Sequence, residues 1–169
     1  MEYALEMRNI CKSYKDADIL KNINIKIPKG AICGLIGENG AGKSTLMKLI
    51  AGTSFTTSGE IYINNKPATK ENFEQRRRMG FLIEQPTVYF DMSARENLEI
   101  QRTLRGIPGK ECIEEVLKAV KLEDVGNTKV GKFSLGMKQR LGIAVAMLGN
   151  PDFLILDEPI NGLDPEKIR

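Results

Sequence analysis

The sequence predicts an α/β fold with an N-terminal antiparallel β region, a core of parallel strands and an inserted helical region. Three observations predict it: apolar and polar residues alternate near the N-terminus, an unbroken apolar run ends in a glycine-rich loop, and helical patterns lie between two further strand patterns. The 169 residues, 41% of them hydrophobic and 28% charged, can bury the core of one globular unit.

Alternating apolar residues define the N-terminal β region. The pattern is typical of half-buried antiparallel strands, and its apolar positions are Leu5, Met7, Ile19, Ile23, Ile25 and Ile27. A similar alternation covers residues 59–64, where Asn64 and Asn65 favour a turn. We therefore expect the antiparallel sheet to continue there.

Three short apolar runs are candidates for strands of the core. Residues 31–36 form a nearly unbroken run that predicts a buried parallel strand, and residues 43–51 follow its glycine loop as a helix. Residues 79–83 and 153–156 are the other two runs. The sequence thus predicts one sheet whose strands come from segments that are far apart in the chain.

Helical signals fill the segment between the last two strand candidates. Ser93 and Glu96 are spaced as a capping box for a helix through Leu104. A second helix is predicted by apolar residues at helical spacing, namely Ile113, Val116, Leu117 and Val120. We expect residues 85–150 to form a helical subdomain, with 1–84 and 151–169 forming the β region and the core.

Composition excludes several classes of protein. Cys11, Cys33 and Cys112 form no CxxC pair, so neither a disulfide framework nor a zinc site is indicated and a reducing cytosol fits best. The net charge of +3 is too small to predict nucleic-acid binding. No apolar run approaches the roughly 20 residues of a membrane-spanning helix, so we expect any work at a membrane to need a separate partner.

The glycine-rich loop matches the pattern G-x-x-x-x-G-K-[ST] between an apolar strand and a helix. Such a loop points successive backbone N–H groups at phosphate oxygens, next to the positive end of a helix dipole. Lys43 would supply the cation for the terminal phosphates, and the Ser44 hydroxyl would bind Mg²⁺. The residues expected to contact ATP are Gly37, Glu38, Asn39, Gly40, Ala41, Gly42, Lys43, Ser44 and Thr45.

The segment FLILDEP, residues 153–159, is an apolar strand that ends in two acids. Read alone, an acid pair most often begins a solvated loop. Combined with the phosphate loop, it resembles the Walker B motif of ATP-binding cassette (ABC) proteins. The resemblance implies that Asp157 holds Mg²⁺ and that Glu158 polarises the water that attacks the terminal phosphate.

The segment FSLGMKQRLGIA resembles the ABC signature LSGGQ. Ser134 and Gly136 stand where the family has them, whereas Phe133, Leu135 and Met137 depart from its pattern. The resemblance implies that Ser134 and Gly136 bind the γ-phosphate held by a second subunit. Ser134 also fits a simple helix cap, and the two interpretations are compatible.

Two further positions follow from the same resemblance. Tyr14 resembles the aromatic residue that stacks on adenine, although a lone tyrosine is more often a core or turn residue. NGLDP, residues 161–165, resembles the D-loop, in which Asp164 would couple two ATP sites across a dimer. Together these motifs imply a P-loop NTPase (RecA-like) core with Mg²⁺ and ATP as its ligands.

The segment MGFLIEQP departs from the common family pattern. Most ABC proteins place a glutamine there, which binds Mg²⁺ and the attacking water, whereas here Glu84 fills the slot. With Tyr89 and SLGMKQRLGIA, this resembles the lantibiotic and bacitracin-type self-protection exporters, and it implies a catalytic and metal-binding role for Glu84. A shift of one residue would put Gln85 in the slot instead.

The sequence ends before other motifs of the family. Family members continue past NGLDP to a switch histidine, whereas this chain has no histidine and ends at Arg169. We expect it to cover the first part of an ABC domain, incomplete at its C-terminus. Because missing strands would leave apolar faces uncovered, we expect it to bind ATP with weak or absent turnover.

The resemblance implies the ATPase subunit of a membrane exporter. Its expected partners are a second ABC ATPase subunit, in a homodimer or heterodimer, and a membrane-spanning permease docked near residues 89–98, without nucleic acid. The expected location is cytoplasmic, on the inner face of the cell membrane through the permease. A non-transport ABC ATPase of translation or DNA repair is the alternative, while a GTPase lacks its NKxD pattern and a non-hydrolytic module gains no support from the intact motifs.

Overall fold

The computed structural model describes residues 2–15, 17–71 and 74–159, which form two units divided between Arg78 and Met79. The first unit contains β1 Tyr3–Tyr14, β2 Ala17–Pro28, α1 Lys43–Ala51, β3 Ser58–Ile63 and β4 Lys66–Pro67. The second contains β5 Met79–Leu82, α2 Ala94–Leu104, α3 Glu111–Ala119, α4 Leu135–Met147 and β6 Phe153–Leu156. The predicted α/β class is confirmed.

The first unit is built on an antiparallel sheet of strand order β2-β1-β3-β4. β1 pairs with β2 from Tyr3 opposite Pro28 to Tyr14 opposite Ala17, and its other edge pairs with β3. Asn64 and Asn65 turn β3 into β4 with positive φ angles of 50° and 61°. The predicted antiparallel strands and the predicted turn are confirmed.

The buried side of the first unit combines residues from the sheet and from helix α1. The helix buries five residues, and β1 and β3 bury several more: Leu46, Met47, Leu49, Ile50, Ala51, Leu5, Met7, Ile10, Ile61 and Ile63. Arg76 is buried and its Nε donates to the Ile50 carbonyl oxygen at 3.0 Å. A cation at the C-terminal end of a helix offsets the negative end of the dipole, so Arg76 stabilises the end of α1.

The predicted strand at residues 31–36 is wrong. The segment is irregular and exposed, and the exposed fractions of Ile32 and Ile36 are 103% and 95%. A parallel strand is buried only where neighbouring strands take its hydrogen bonds and helices cover its faces. In the described part of the chain no strand pairs with these residues.

The second unit joins two parallel strands that are far apart in sequence. β5 and β6 pair from Met79 opposite Phe153 to Leu82 opposite Leu156. Helices α2, α3 and α4 lie between them in the chain. The predicted helical insertion between two strands of one sheet is confirmed.

The three helices share one apolar core, with α4 also lying against β5. Its most buried members include Leu98 from α2, Leu117 from α3 and Leu141 from α4. Ser93 begins α2 with the predicted capping box, because its Oγ accepts from the Glu96 N–H and Glu96 Oε2 accepts from the Ser93 N–H. Helix α2 is therefore held by a side-chain cap as well as by packing.

Candidate nucleotide-binding site

The glycine-rich loop leads directly into helix α1. Gly40 and Gly42 have φ angles of 83° and 89°, a left-handed conformation that glycine adopts without strain. The Ala41 N–H donates to the Glu38 carbonyl oxygen at 3.2 Å, which closes a turn inside the loop. The loop residues 37–41 are all exposed, so their backbone can reach a ligand.

The Lys43 side chain folds back over this loop. Its Nζ donates to the carbonyl oxygens of Gly37 at 2.7 Å and Glu38 at 2.8 Å. These contacts hold the ammonium against the backbone of the loop.

The N-terminus of α1 adds donors beside this cation. Gly42 is the N-cap, no side chain caps the helix, and its first turn contains no acidic residue. The first N–H groups of a helix lack intrahelical acceptors and attract anions. The loop, Lys43, and the first-turn residues Ser44 and Thr45 therefore fit a chain of phosphates.

The hairpin of β1 and β2 supports the loop from one side. A Cβ atom at Gly42 would lie 2.8 Å from Leu20 Cδ2 and 3.3 Å from the Ile19 carbonyl oxygen. The same end of the hairpin carries Tyr14, which pairs with Ala17. The structure thus brings the predicted aromatic residue to the hairpin end that contacts the phosphate loop.

Tyr14 is held at this end by polar contacts. Its hydroxyl lies 3.1 Å from Ser54 Oγ, and the Lys12 Nζ lies 4.3 Å from the centre of its ring. The side chain is nevertheless 47% exposed. Lys12 and Ser54 are contacts that the sequence patterns did not predict.

In the second unit, acidic residues follow the carboxyl ends of both parallel strands. Leu82 pairs with Leu156, so Glu84 and Glu158 each lie two residues beyond the last pair. The Asp157 N–H donates to the Leu82 carbonyl oxygen at 2.8 Å, and Asp157 is 8% exposed. The predicted Walker B acids and Glu84 therefore share one edge of this sheet.

Glu84 and Glu158 both adopt left-handed backbone conformations, with φ angles of 65° and 46°. Glu84 and the alternative residue Gln85 are both exposed. Among the described residues, no group of three His, Cys, Asp or Glu side chains could hold a metal alone. This donor set fits Mg²⁺, which binds through one or two carboxylates together with substrate phosphates.

The signature-like segment begins helix α4. Ser134 is its N-cap, and its Oγ accepts from the Met137 N–H at 3.3 Å, so the predicted cap is confirmed. Gly136 lies in the first turn, beside Leu135, which is 70% exposed. The helix therefore presents its N-terminus at the surface of the second unit.

One contact joins this helix to the Walker B segment. The buried Gln139 donates through Nε2 to the Glu158 carbonyl oxygen at 3.4 Å. The sequence patterns did not predict Gln139; it is the polar residue among the buried positions of α4, which are otherwise Leu141, Gly142, Ala144 and Ala146. The predicted D-loop residue Asp164 lies outside the described residues.

Three features of this chain are typical of the phosphate-loop class of nucleotide-binding proteins. They are a glycine loop that leads into an uncapped helix, a lysine folded over that loop, and acidic residues at the end of a strand. Residues 20–161 match the family described as ABC transporter. The chain therefore belongs to the ABC transporter family, which confirms the resemblance drawn from its motifs.

Relatives and solved structures agree with this assignment. The lantibiotic transport ATP-binding protein SrtF of Streptococcus pyogenes is 44% identical over 98% of this chain and 70% of its own length. The bacitracin transport ATP-binding protein BcrA of Bacillus licheniformis is 44% identical over 100% of this chain and 55% of its own. The predicted resemblance to lantibiotic and bacitracin-type proteins is confirmed.

A solved dimeric ATP-binding cassette, in a post-hydrolysis state with ADP and Pi, superposes with a TM-score of 0.86. It is 30% identical and is matched over 96% of this chain and 77% of its own length. This chain spans about half the length of several curated relatives that it matches. Within the described residues, no helix is both long and apolar enough to cross a bilayer.

Proposed function

We propose that this chain is the ATP-binding part of a transporter ATPase. The observation that carries the proposal is the Lys43 ammonium held over the carbonyl oxygens of Gly37 and Glu38, beside the uncapped N-terminus of α1. This arrangement supplies positive charge and N–H donors in one place. It fits the β- and γ-phosphates of ATP.

In the first unit, we assign the loop residues 37–45 to the phosphates and Tyr14 to the adenine ring. Ser44 would contribute its hydroxyl to Mg²⁺. The exposed ring of Tyr14, at the hairpin end that contacts Gly42, supports its assignment. Lys43 would also stabilise the charge that develops during phosphoryl transfer.

In the second unit, we assign Asp157 and Glu84 to Mg²⁺ and Glu158 to the attacking water. When bound, Mg²⁺ would neutralise part of the negative charge of the phosphates. Ser134 and Gly136, at the exposed start of α4, and Asp164 would contact the ATP of a partner subunit. The domain division into 1–84 with 151–169, and 85–150 as the helical subdomain, belongs to the same proposal.

We propose export of a lantibiotic or other peptide antibiotic, in self-immunity, as the transport function. The support is that a lantibiotic transport ATP-binding protein and a bacitracin transport ATP-binding protein are each 44% identical to this chain. The partners would be a second ABC ATPase subunit, identical or related, and a membrane-spanning permease at the inner face of the cell membrane. These relatives favour transport over translation or DNA repair.

Resistance of living cells tests this proposal. Sensitive cells would express the protein together with the membrane proteins encoded beside its gene. We expect the minimal inhibitory concentration of a lantibiotic or of bacitracin to rise. Glu158→Gln should abolish the rise, because the amide cannot accept the proton of the attacking water.

Lys66→Gln is the control, since Lys66 is exposed on β4 and outside the proposed site. It should leave the resistance unchanged. A normal rise with Glu158→Gln would contradict the hydrolytic role. No rise for any peptide antibiotic with the unaltered protein would contradict the proposed substrate class.

A further inference from the structure

The end of β1 is tied to the loop that follows the phosphate-binding helix. The Thr57 N–H donates to the Cys11 carbonyl oxygen at 2.9 Å, and the Ser13 N–H donates to Thr57 Oγ1 at 3.0 Å. The loop is itself fixed to α1, because the Ser54 N–H donates to the Lys48 carbonyl oxygen at 3.2 Å. The backbone around Tyr14 is thus connected to the helix that begins at the phosphate loop.

Two side chains from these connected segments contact the Tyr14 ring. Lys12 Nζ donates to the Phe55 carbonyl oxygen at 2.8 Å while it lies 4.3 Å from the ring centre. Ser54 Oγ lies 3.1 Å from the Tyr14 hydroxyl. One contact fixes a face of the ring and the other fixes its tip, so both the tilt and the position of the ring are set.

Because Lys12 lies over one face of the ring, a base that stacks on Tyr14 would use the other face. Tyr14 remains 47% exposed although Lys12 covers one face. The faces of an aromatic ring carry partial negative charge, which opposes direct stacking of two electron-rich rings. A cation on one face withdraws electron density and so favours a purine on the other.

We propose that Lys12 is a positioning residue for adenine recognition, and that it forms the outer layer of a stack of ammonium, tyrosine ring and base. Ser54 assists by holding the hydroxyl of the ring. The inference rests on the proposed function, in which Tyr14 stacks on adenine. It assigns nucleotide affinity to a lysine that does not touch the nucleotide.

The test compares Mg·ATP with Mg·tripolyphosphate, which has three phosphates and no base, by isothermal titration calorimetry. We expect Lys12→Gln to weaken Mg·ATP about two- to fivefold, the range expected for an exposed cation–π contact. Binding of tripolyphosphate should not change. Lys12→Arg should retain the affinity, because a guanidinium also stacks on aromatic rings.

Lys66→Gln removes the same charge at an exposed position elsewhere in the first unit and should change neither affinity. Equal losses for both ligands with Lys12→Gln, or ATP affinity equal to that of Lys66→Gln, would overturn the inference. Tyr14→Ala separates the two proposals. If it weakens Mg·ATP selectively while Lys12→Gln does not, only the role of Lys12 is wrong; if it has no effect, the proposed adenine contact itself is wrong.

Discussion

Gly42 and Leu20 approach so closely that a Cβ atom at Gly42 would lie 2.8 Å from Leu20 Cδ2. This approach seats the start of α1 against the β1–β2 hairpin. The position also has a φ angle of 89°. The last glycine of the phosphate loop therefore packs against a residue that is remote in sequence.

Gly42→Ala should destabilise the protein more than Gly40→Ala does. Both positions have left-handed φ angles, but nothing lies within 4 Å of a Cβ atom at Gly40. The contacts with the end of the Leu20 side chain and with the Ile19 carbonyl oxygen should add about 1 kcal/mol to the loss of unfolding free energy. Urea unfolding of the two variants measures the difference, and equal losses would show that Leu20 does not restrain the loop.

Gly142 and Pro86 provide a similar test in the second unit. A Cβ atom at Gly142 would lie 2.7 Å from Pro86 Cγ, where α4 passes the segment after β5. Gly142→Ala combines this clash with the better helix propensity of alanine, so its own effect is mixed. A Cβ atom at Gly142 would also lie 2.8 Å from Pro86 Cβ, so only Pro86→Gly removes both close atoms. In a double-mutant cycle, Pro86→Gly should relieve most of the clash with a coupling of about 1–2 kcal/mol, and strictly additive free energies would contradict the contact.

Ser134 should contribute to stability as a helix cap. Ser134→Ala removes the acceptor for the Met137 N–H and should lower the unfolding free energy by about 1 kcal/mol. Ser93→Ala should cost more, because Ser93 is buried and belongs to a reciprocal capping box. Denaturant titration of both variants gives the ranking, and a larger loss for Ser134→Ala would contradict it.

Glu99 should make stability depend on acid pH. Arg102 donates to both Glu99 carboxylate oxygens, at 2.7 and 3.0 Å, and these bonds lower the pKa of Glu99 from 4.5 to about 2. Because the folded pKa is the lower one, the stabilisation is full above about pH 5 and is lost as the pH falls to about 2. The urea midpoint of the wild type should therefore exceed that of Glu99→Gln at pH 7, and the gap should narrow at pH 3.

Glu115→Gln is the matched control, because Glu115 is an exposed carboxylate on α3. Its difference from the wild type should be small at both pH values. A constant gap between the wild type and Glu99→Gln from pH 7 to pH 2 would contradict the ion pair.

Local signals explain which parts of the fold were predictable. The alternation in β1 and β2, the Asn64–Asn65 turn and the Ser93–Glu96 capping box each act over a few residues, and all three are present. The strand at 31–36 was predicted wrongly, because an apolar run indicates a tendency to be buried but does not supply a neighbouring strand.

The motifs proposed to bind phosphate or metal could be found in the sequence for the same reason, since each covers only a few consecutive residues. The residues that contact these motifs could not be identified from the sequence. Each of the three residues Lys12, Ser54 and Gln139 contacts a residue that is distant in sequence. Such contacts leave no periodic pattern in the sequence. The sequence therefore identified the candidate ligand contacts better than the residues that hold them in place.

The central proposal is that the loop around Lys43 binds the phosphates of ATP. Titration of the unaltered chain and of Lys43→Met with Mg·ATP and with Mg·AMP tests it most directly. The ammonium that now contacts Gly37 and Glu38 should move to the terminal phosphates, and a charged hydrogen-bond donor of this kind corresponds to about ten- to a hundredfold in affinity. We predict that Lys43→Met loses this much affinity for Mg·ATP, keeps its weak affinity for Mg·AMP, and that Lys66→Met behaves as the unaltered chain. Equal affinity of Lys43→Met and the unaltered chain for Mg·ATP would contradict the proposal that this loop binds the nucleotide.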